Sequence, residues 1–442
     1  GNGNGTFASG NDVDTPTNNT KSATLGDLDG DGDLDLVTGN TGSKNQVYLG
    51  DGDGTFAAGS DAATTTLSTH SVALGDLDGD GDLDLAEGNT SQTNQVYLSN
   101  GDGTFGASIQ VDTPMNVTRA ITLGDVDGDG DLDLLVGNQI AVNRVYLGDG
   151  DGTFATGSDV AATVKNTFGV SLGDMDADGD LDLVAGNLGV NRIYLGDGSG
   201  TFGAGSDIDT PSHSTWDVPL GDVDGDGDLD IVAGNQSDAN RLYRGNGDGT
   251  FTAGTGVPVG APQERLATAD FNEDGNMDLA VTTNAATTPG RLLLGDGTGS
   301  FAPSVFGSTE SASHVVVGDF FEDGVSDVVL VGASNLQTFV GLAISPPGDQ
   351  WVAASAPFSE GTTPNIVNKG VVRLMKISES AAVAPLVMGF DKDMVPFCHD
   401  GASLTIKGKG FLPGAVVLVD GVPMTQVLLD PQTGDLTGLL PS

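Results

Sequence analysis

Along residues 20–340 short apolar runs of three to six residues alternate with clusters of Gly, Asn and Asp. Ser71-Val-Ala-Leu-Gly75 leads into an acidic stretch, and Leu83-Asp-Leu-Ala86, a Gly88-Asn89 turn and Asn94-Gln-Val-Tyr-Leu98 follow it. A Gly-Asp-Gly turn at residues 101–103 then precedes Thr104-Phe105. Runs this short, rich in Val, Leu, Tyr, Thr and Phe and bounded by turn-forming residues, predict strands joined by hairpins. No stretch sustains a 3.6-residue apolar period, so almost no helix is expected.

The pattern repeats. Asp27-Leu-Asp-Gly-Asp-Gly-Asp-Leu-Asp35 recurs from Asp76, Asp125, Asp174, Asp222, Asp270 and Asp319, at intervals of 49, 49, 49, 48, 48 and 49 residues. A unit of this length suits the four-stranded blade of a β-propeller, so seven copies predict seven blades over residues 1–340. A phenylalanine closes each unit, at Phe7, Phe56, Phe105, Phe154, Phe202, Phe251 and Phe301, and this register is offset from the acidic loops. Ring closure accounts for the offset: Gly5-Thr-Phe7, within residues 1–10, would supply the outer strand of the last blade and remove an exposed sheet edge. In the alternative, Gly348-Asp-Gln-Trp351 completes that blade, and Phe7 belongs to a blade upstream.

Each acidic loop reads D-x-D-x-D-G-x-x-D, with carboxylates at positions 1, 3, 5 and 9 and a backbone carbonyl available at position 7. Such a loop can wrap one hard cation in oxygen at roughly 2.3–2.6 Å, and its flexible cage suits calcium better than magnesium. The expected ligands are Asp27, Asp29, Asp31, Asp33 and Asp35 in the first loop and Asp76, Asp78, Asp80, Asp82 and Asp84 in the second. They are Asp125, Asp127, Asp129, Asp131 and Asp133 in the third and Asp174, Asp176, Asp178, Asp180 and Asp182 in the fourth. The fifth has Asp222, Asp224, Asp226, Asp228 and Asp230; the sixth has Asp270, Asn272, Asp274, Asn276 and Asp278. In the seventh Phe321 takes position 3, leaving Asp319, Asp323 and Asp327, so about six calcium ions are expected and a seventh weak or absent. An EF-hand is excluded because position 12 is acidic only at Glu87 and the flanks are strand-like. A solvated charged turn fails because four carboxylates within nine residues repel one another unless neutralised.

Composition narrows the function. Against 62 acidic side chains stand 16 Lys and Arg, a net charge of -46, so nucleic acid and anionic membranes would be repelled. Only seven of the acids are Glu, an excess of Asp that fits loop geometry rather than general acidity. The single Cys398 excludes a disulfide framework and cysteine-based metal sites. No run of about 18 apolar residues predicts membrane insertion, and no export leader is visible, although a chain beginning at Gly1 suggests a processed fragment of a longer multidomain protein. No G-x-S-x-G, H-E-x-x-H or P-loop pattern is present, so no enzyme activity is expected.

The unit D-x-D-G-D-G-x-x-D-L...G-N...V-Y-L-G-D-G-x-G-T-F resembles the FG-GAP or VCBS-type repeat of integrin alpha-subunit propellers and bacterial surface proteins. The resemblance covers about three quarters of the chain. It implies an all-β, seven-bladed propeller with calcium held between the first and second strands of each blade. Propellers of this kind serve in adhesion, as lectins and in polysaccharide-acting enzymes. Residues 341–384 read as a linker or irregular extension, and residues 385–442 resemble the opening strands of an Ig-like IPT/TIG domain, truncated at Ser442.

Strand alternation sets the calcium loops and Gly-Asp-Gly hairpins on one face and the connectors between blades on the other. The connectors vary, and His213, Trp216 and Asp217 in one of them are candidate ligand-binding residues, the alternative being that Trp216 fills a gap between blades. The row Gln46, Gln95, Arg144, Arg192, Arg241, Arg291 and Gln337 is expected to stitch neighbouring blades through hydrogen bonds or ion pairs, the alternative being a glycan-binding cleft between blades. The functional expectation is an extracellular, secreted or cell-surface, non-catalytic adhesion or recognition module for a protein or glycan. The alternatives are the carbohydrate-binding or scaffold portion of a polysaccharide-acting enzyme, and a structural spacer.

Overall fold

The computed structural model describes residues 11–14 and 19–339, except 64, 112–115, 209–212, 237, 258–264, 283–290, 304–311, 313, 321–325 and 332–335, and beyond them only strands between 350 and 439. Every regular element among these residues is a β-strand. The chain divides into two compact units, Gly5–Ala343 and Gly1–Asn4 with Ile344–Ser442.

In the larger unit the repeats are antiparallel sheets. The third repeat places Thr118–Gly124, Asp133–Asn138, Arg144–Tyr146 and Ser158–Asp159 side by side in chain order. Its second strand is buried along its whole length, which explains why Leu-Leu-Val there does not alternate with polar residues. Gly137 permits this depth, since a Cβ at that position would lie 2.8 Å from Val170 and 3.0 Å from Thr167 in the next repeat. Gly-Asn, expected as a turn, is therefore the buried end of the second strand.

The asparagine of that pair is a structural hub. Asn138 accepts from Thr118 Oγ1 at 3.1 Å and donates to the Val142 carbonyl, while its amide donates to Asn143 Oδ1 at 3.0 Å. Equivalent groups cross between repeats: Asn45 donates to Thr69 Oγ1, which donates to Asn89, and Asn191 donates to Thr215, which donates to Asn235. Satisfied in this way, buried amides and hydroxyls avoid the cost of about 1–3 kcal/mol that an unpaired buried group carries.

The apolar core is distributed. Seven clusters among the described residues each join two repeats, successive ones in six of them, as where Leu28, Val37 and Val47 meet Val72, Leu85 and Tyr97. In one cluster Ala23, Leu36 and Tyr48 pack with Phe320, Val329 and Val331, so the first repeat shares a core with the seventh. Asn11–Asp14 pairs with Leu336–Phe339 through Asn11↔Thr338 and Asp12↔Gln337, and the Gly54 amide donates to the Phe320 carbonyl at 3.1 Å. The strand beside the last repeat is thus Asn11–Asp14; Gly5 to Phe7 lie outside the described residues. Trp351 sits on Gln350–Ala353, which pairs with Arg373–Ile377 in the other unit.

Among its described residues that smaller unit has two four-stranded antiparallel sheets. One comprises Gln350–Ala353, Arg373–Ile377, Val416–Val419 and Val422–Pro423; the other comprises Leu386–Phe390, Ser403–Lys409, Leu436–Leu439 and Thr425–Leu429. Two of these strands come from residues 341–384, expected as a linker or irregular extension.

Candidate functional site

The acidic loops link the first strand of each repeat to the second. In the first loop Asp27 accepts the amides of Gly30 and Gly32 at 2.8 and 3.0 Å, and Asp31 accepts that of Asp33 at 2.9 Å. Gly30 and Gly32 have φ of 73° and 95°, the left-handed region that lets the chain turn back over its own carboxylates. Asp35, the ninth position, is fully buried and accepts the amides of Leu28 and Gly50, both at 2.7 Å. One carboxylate thereby fixes the loop to the strand beyond it. The side chain of Asp33 is also buried, against Gly52, so position 7 is left to offer its carbonyl.

Positions 1, 3 and 9 converge. In each of the first five loops one carboxylate oxygen from each of these positions lies within 4.8 Å of the others: Asp27, Asp29 and Asp35; Asp76, Asp78 and Asp84; Asp125, Asp127 and Asp133; Asp174, Asp176 and Asp182; Asp222, Asp224 and Asp230. Position 5, represented by Asp31, Asp80, Asp129, Asp178 and Asp226, is not in these groups. Burial, opposed by the two amides, pushes Asp35, Asp133, Asp182 and Asp230 up to about 6. Asp29 is raised by burial and by the neighbouring charges of Asp31 and Asp27. At position 3 the Oδ1 atoms of Asp127, Asp176 and Asp224 are buried without a hydrogen-bond partner. Orphaned acceptors inside a cluster of like charges fit a bound hard cation, and an all-oxygen donor set is the one calcium prefers.

The remaining loops differ. In the sixth, Asn272 Nδ2 donates to Asp274 at 3.0 Å, while Asp278 keeps the same two amide bonds, from Phe271 and Gly295, and burial pushes it up to about 7. Phe321 and Asp323 of the seventh lie outside the described residues. The fifth carries a feature missed in the sequence: Arg244 Nε stands 3.0 Å from Asp224 Oδ2, so a guanidinium already neutralises one carboxylate of that group. Corresponding positions in neighbouring repeats are Leu49, Leu98, Leu147, Leu195 and Leu294, and alignment at the repeat period exposes the departure.

Four members of the Arg and Gln row, expected to stitch neighbouring blades, make ties within their own repeats. Gln46 donates to Asp61 at 2.8 Å, Arg144 and Arg192 pair with Asp159 and Asp207 at 3.3 and 3.0 Å, and Arg241 donates to the Gly254 carbonyl. Each tie joins a third strand to the fourth strand of the same sheet, because the pairing Arg144↔Asp159 sets the two side chains opposite each other. Spacing along the chain could not distinguish that partner from one in the adjacent repeat.

His213, Trp216 and Asp217 occupy the strand His213–Asp217 rather than a connector, and their surroundings differ. His213 Nδ1 lies 3.3 Å from Asp238, whereas Trp216 stacks on Phe168 with centroids 5.2 Å apart. Asp217 lines a cavity of about 350 Å³ together with Arg265 and His314, neither of which the sequence singled out. Those three stand five residues ahead of Asp222, Asp270 and Asp319, a register that repeat alignment makes visible.

A set of antiparallel four-stranded repeats, five of which bring three carboxylates together in an acidic loop, defines an all-β repeat protein of the β-propeller type. The family model of the FG-GAP-like repeat matches residues 27–87, 85–136, 125–185, 174–233, 222–281 and 270–330, and the chain belongs to that family. Among solved structures it is similar to a lectin of Agrocybe aegerita described as recognising non-reducing terminal N-acetylglucosamine, at 20% identity over 72% of this chain and 87% of the lectin, with a TM-score of 0.50. It is also similar to BBS1N from its complex with ARL6DN, at 12% identity over 75% of this chain and 95% of the other, with a TM-score of 0.53. These likenesses concern the fold. No curated protein sequence matches the chain.

Proposed function

We propose that the larger unit is a seven-bladed propeller which binds about six calcium ions and acts outside the cell as a non-catalytic recognition module for a glycan or protein. The buried, unpartnered carboxylate oxygens at position 3 of the acidic loops carry the calcium part of this reading. Calcium at the concentrations of extracellular fluids would load such loops, whereas a calcium-poor cytosol would not. Recognition is supported by the contrast between uniform acidic loops and an opposite end where the repeats begin with unlike residues, Lys21, His70, Arg119, Phe168 and Trp216. The Agrocybe lectin shows that a fold of this type can serve glycan recognition.

Calorimetric titration of chelator-treated protein with calcium, followed by a glycan array with and without calcium, tests the proposal. Uptake of about six equivalents and calcium-dependent binding to a glycan subset are expected. A folded protein that takes up no calcium overturns the scaffold reading; hydrolytic or lyase activity towards an array glycan overturns the non-catalytic one.

A further inference from the structure

The acidic loop of one repeat is also the seat of the next. Its second residue lies between the carboxylates of positions 1 and 3, and in the first loop that residue is Leu28. The Leu28 amide donates to Asp35, while its carbonyl accepts the amide of Gly103, in the third-to-fourth-strand hairpin of the second repeat, at 2.9 Å. The same bond runs from Gly200 to Val126 and from Gly299 to Val223, both at 3.0 Å. Loop shape and the docking of the neighbouring repeat are therefore tied through one residue.

Three carboxylates with oxygens within 4.8 Å of one another repel unless a cation stands among them. Without one the loop relaxes, and the carbonyl that seats the next hairpin moves with it. At the junctions after the first four loops the remaining contact is aliphatic: Leu98 and Leu147, for example, lie against Gly152 and Gly200, where an added Cβ would come within 2.5 and 2.6 Å of the leucine. The junction after the fifth loop is built differently. Arg244 takes the leucine's place against Gly299. Its Nε stands 3.0 Å from Asp224 Oδ2, and its Nη2 donates to the carbonyls of Thr298 and Gly299 at 3.1 and 3.3 Å. One planar group thus grips the loop of the fifth repeat and the hairpin of the sixth together. The Arg244 and Asp224 side chains are 27% and 17% exposed, so solvent screens this pair less than a surface bridge. Asp224 Oδ1 has no hydrogen-bond partner, so the guanidinium takes one oxygen of the carboxylate and leaves the other.

We propose that Arg244 is a built-in strut: when calcium is withdrawn, the junctions after the first four loops loosen, while Arg244 keeps the fifth and sixth repeats docked as a pair. The guanidinium supplies the fifth loop with a cation of its own and bonds the neighbouring hairpin directly, two things that leucine cannot do. Calcium depletion therefore loosens the repeats unevenly and leaves one fixed joint. The gating of the other junctions rests on the calcium reading above; the strut itself rests on the ion pair and the two carbonyl bonds.

The test compares the full chain with Arg244→Leu, which removes the strut, and with Leu147→Arg, which installs one after the third loop, each in calcium and in EDTA. Amide exchange read by mass spectrometry over residues 198–202 and 297–301 reports the two hairpins. In EDTA the protection of 297–301 should exceed that of 198–202 by about tenfold, Arg244→Leu should abolish the difference, and Leu147→Arg should protect 198–202. If EDTA unfolds the chain too far for exchange to separate the hairpins, thermal melts decide: Arg244→Leu should lower Tm in EDTA but leave it unchanged or raised in calcium, and Leu147→Arg should do the reverse. A side chain that merely packs gives no such change of sign. Equal protection of the two hairpins in EDTA, or a loss of Tm in Arg244→Leu that is the same in both conditions, overturns the strut. Protection of 198–202 that is the same in calcium and EDTA, with Arg244→Leu still exposing 297–301, overturns the calcium gating and leaves the strut standing.

Discussion

Glu87→Gln isolates one buried charge. Glu87 is 1% exposed, and it is held by Asn45 Nδ2 and by the Tyr97 hydroxyl at 3.3 Å. Burial outweighs these bonds and pushes its carboxyl up to about 7 from an ordinary 4.5. A folded value above the unfolded one means that stability is complete below pH 4.5 and declines as pH rises to about 7, since ionisation is then harder in the folded chain. At about 1.36 kcal/mol per pH unit of displacement, the native protein forgoes about 3 kcal/mol at pH 8. Glutamine keeps an acceptor for Asn45 and offers a donor to the Tyr97 oxygen, so the variant should recover that stability. The unfolding entropy of the Gly5–Ala343 unit is about 0.7 kcal/mol/K, which converts 3 kcal/mol to roughly 4 °C. Thermal melts in saturating calcium at pH 8 and pH 4 should show Tm raised by that amount at the higher pH and equal at the lower. A variant no more stable at pH 8, or equally stabilised at both, would refute the reasoning.

Chelation should lower Tm sharply, because a site whose calcium stands at 100 times its Kd contributes about 2.7 kcal/mol; an unchanged melt in EDTA would show the loops to be empty. Arg244→Leu should tighten calcium at the fifth loop by freeing Asp224, read as a weak step that disappears from the titration. Gly150→Ala should destabilise by about 1–3 kcal/mol, measured by denaturant midpoint, because φ is +65° and a Cβ would lie 2.5 Å from Asp131 Oδ2. Thr215→Val should cost about 1–3 kcal/mol in the same assay, since it leaves Asn191 Nδ2 and Asn235 Oδ1 without their shared partner between repeats.

Much of the candidate metal site is legible in the sequence, because its donors lie within nine consecutive residues and local geometry brings them together. Convergence of Asp125, Asp127 and Asp133 needs only the loop's own glycines. Strand character is legible for a similar reason, through short apolar runs between turn residues. What could not be read depends on which repeat faces which. Gly137-Asn138 looks like a turn by residue type, and its burial follows from the approach of Val170 in the next repeat. Arg144 could reach either the adjacent repeat or its own outer strand until the register with Asp159 was known. The cavity is the extreme case, since Asp217, Arg265 and His314 are separated by 48 and 49 residues and meet only around the ring.

The pairing of Asn11–Asp14 with Leu336–Phe339 sets a clock on synthesis. Asp12 must wait for Gln337, and at roughly 5–20 residues per second that delay is about 15–65 s. Successive repeats can meanwhile dock on one another as they emerge, since each shares its core with the next. Throughout that interval two sheet edges stand open, one at each end of a growing arc, and either could recruit a strand from a neighbouring nascent chain. Completion of the ring removes both at once, so the exposure to such recruitment ends only when the last repeat has docked on the first.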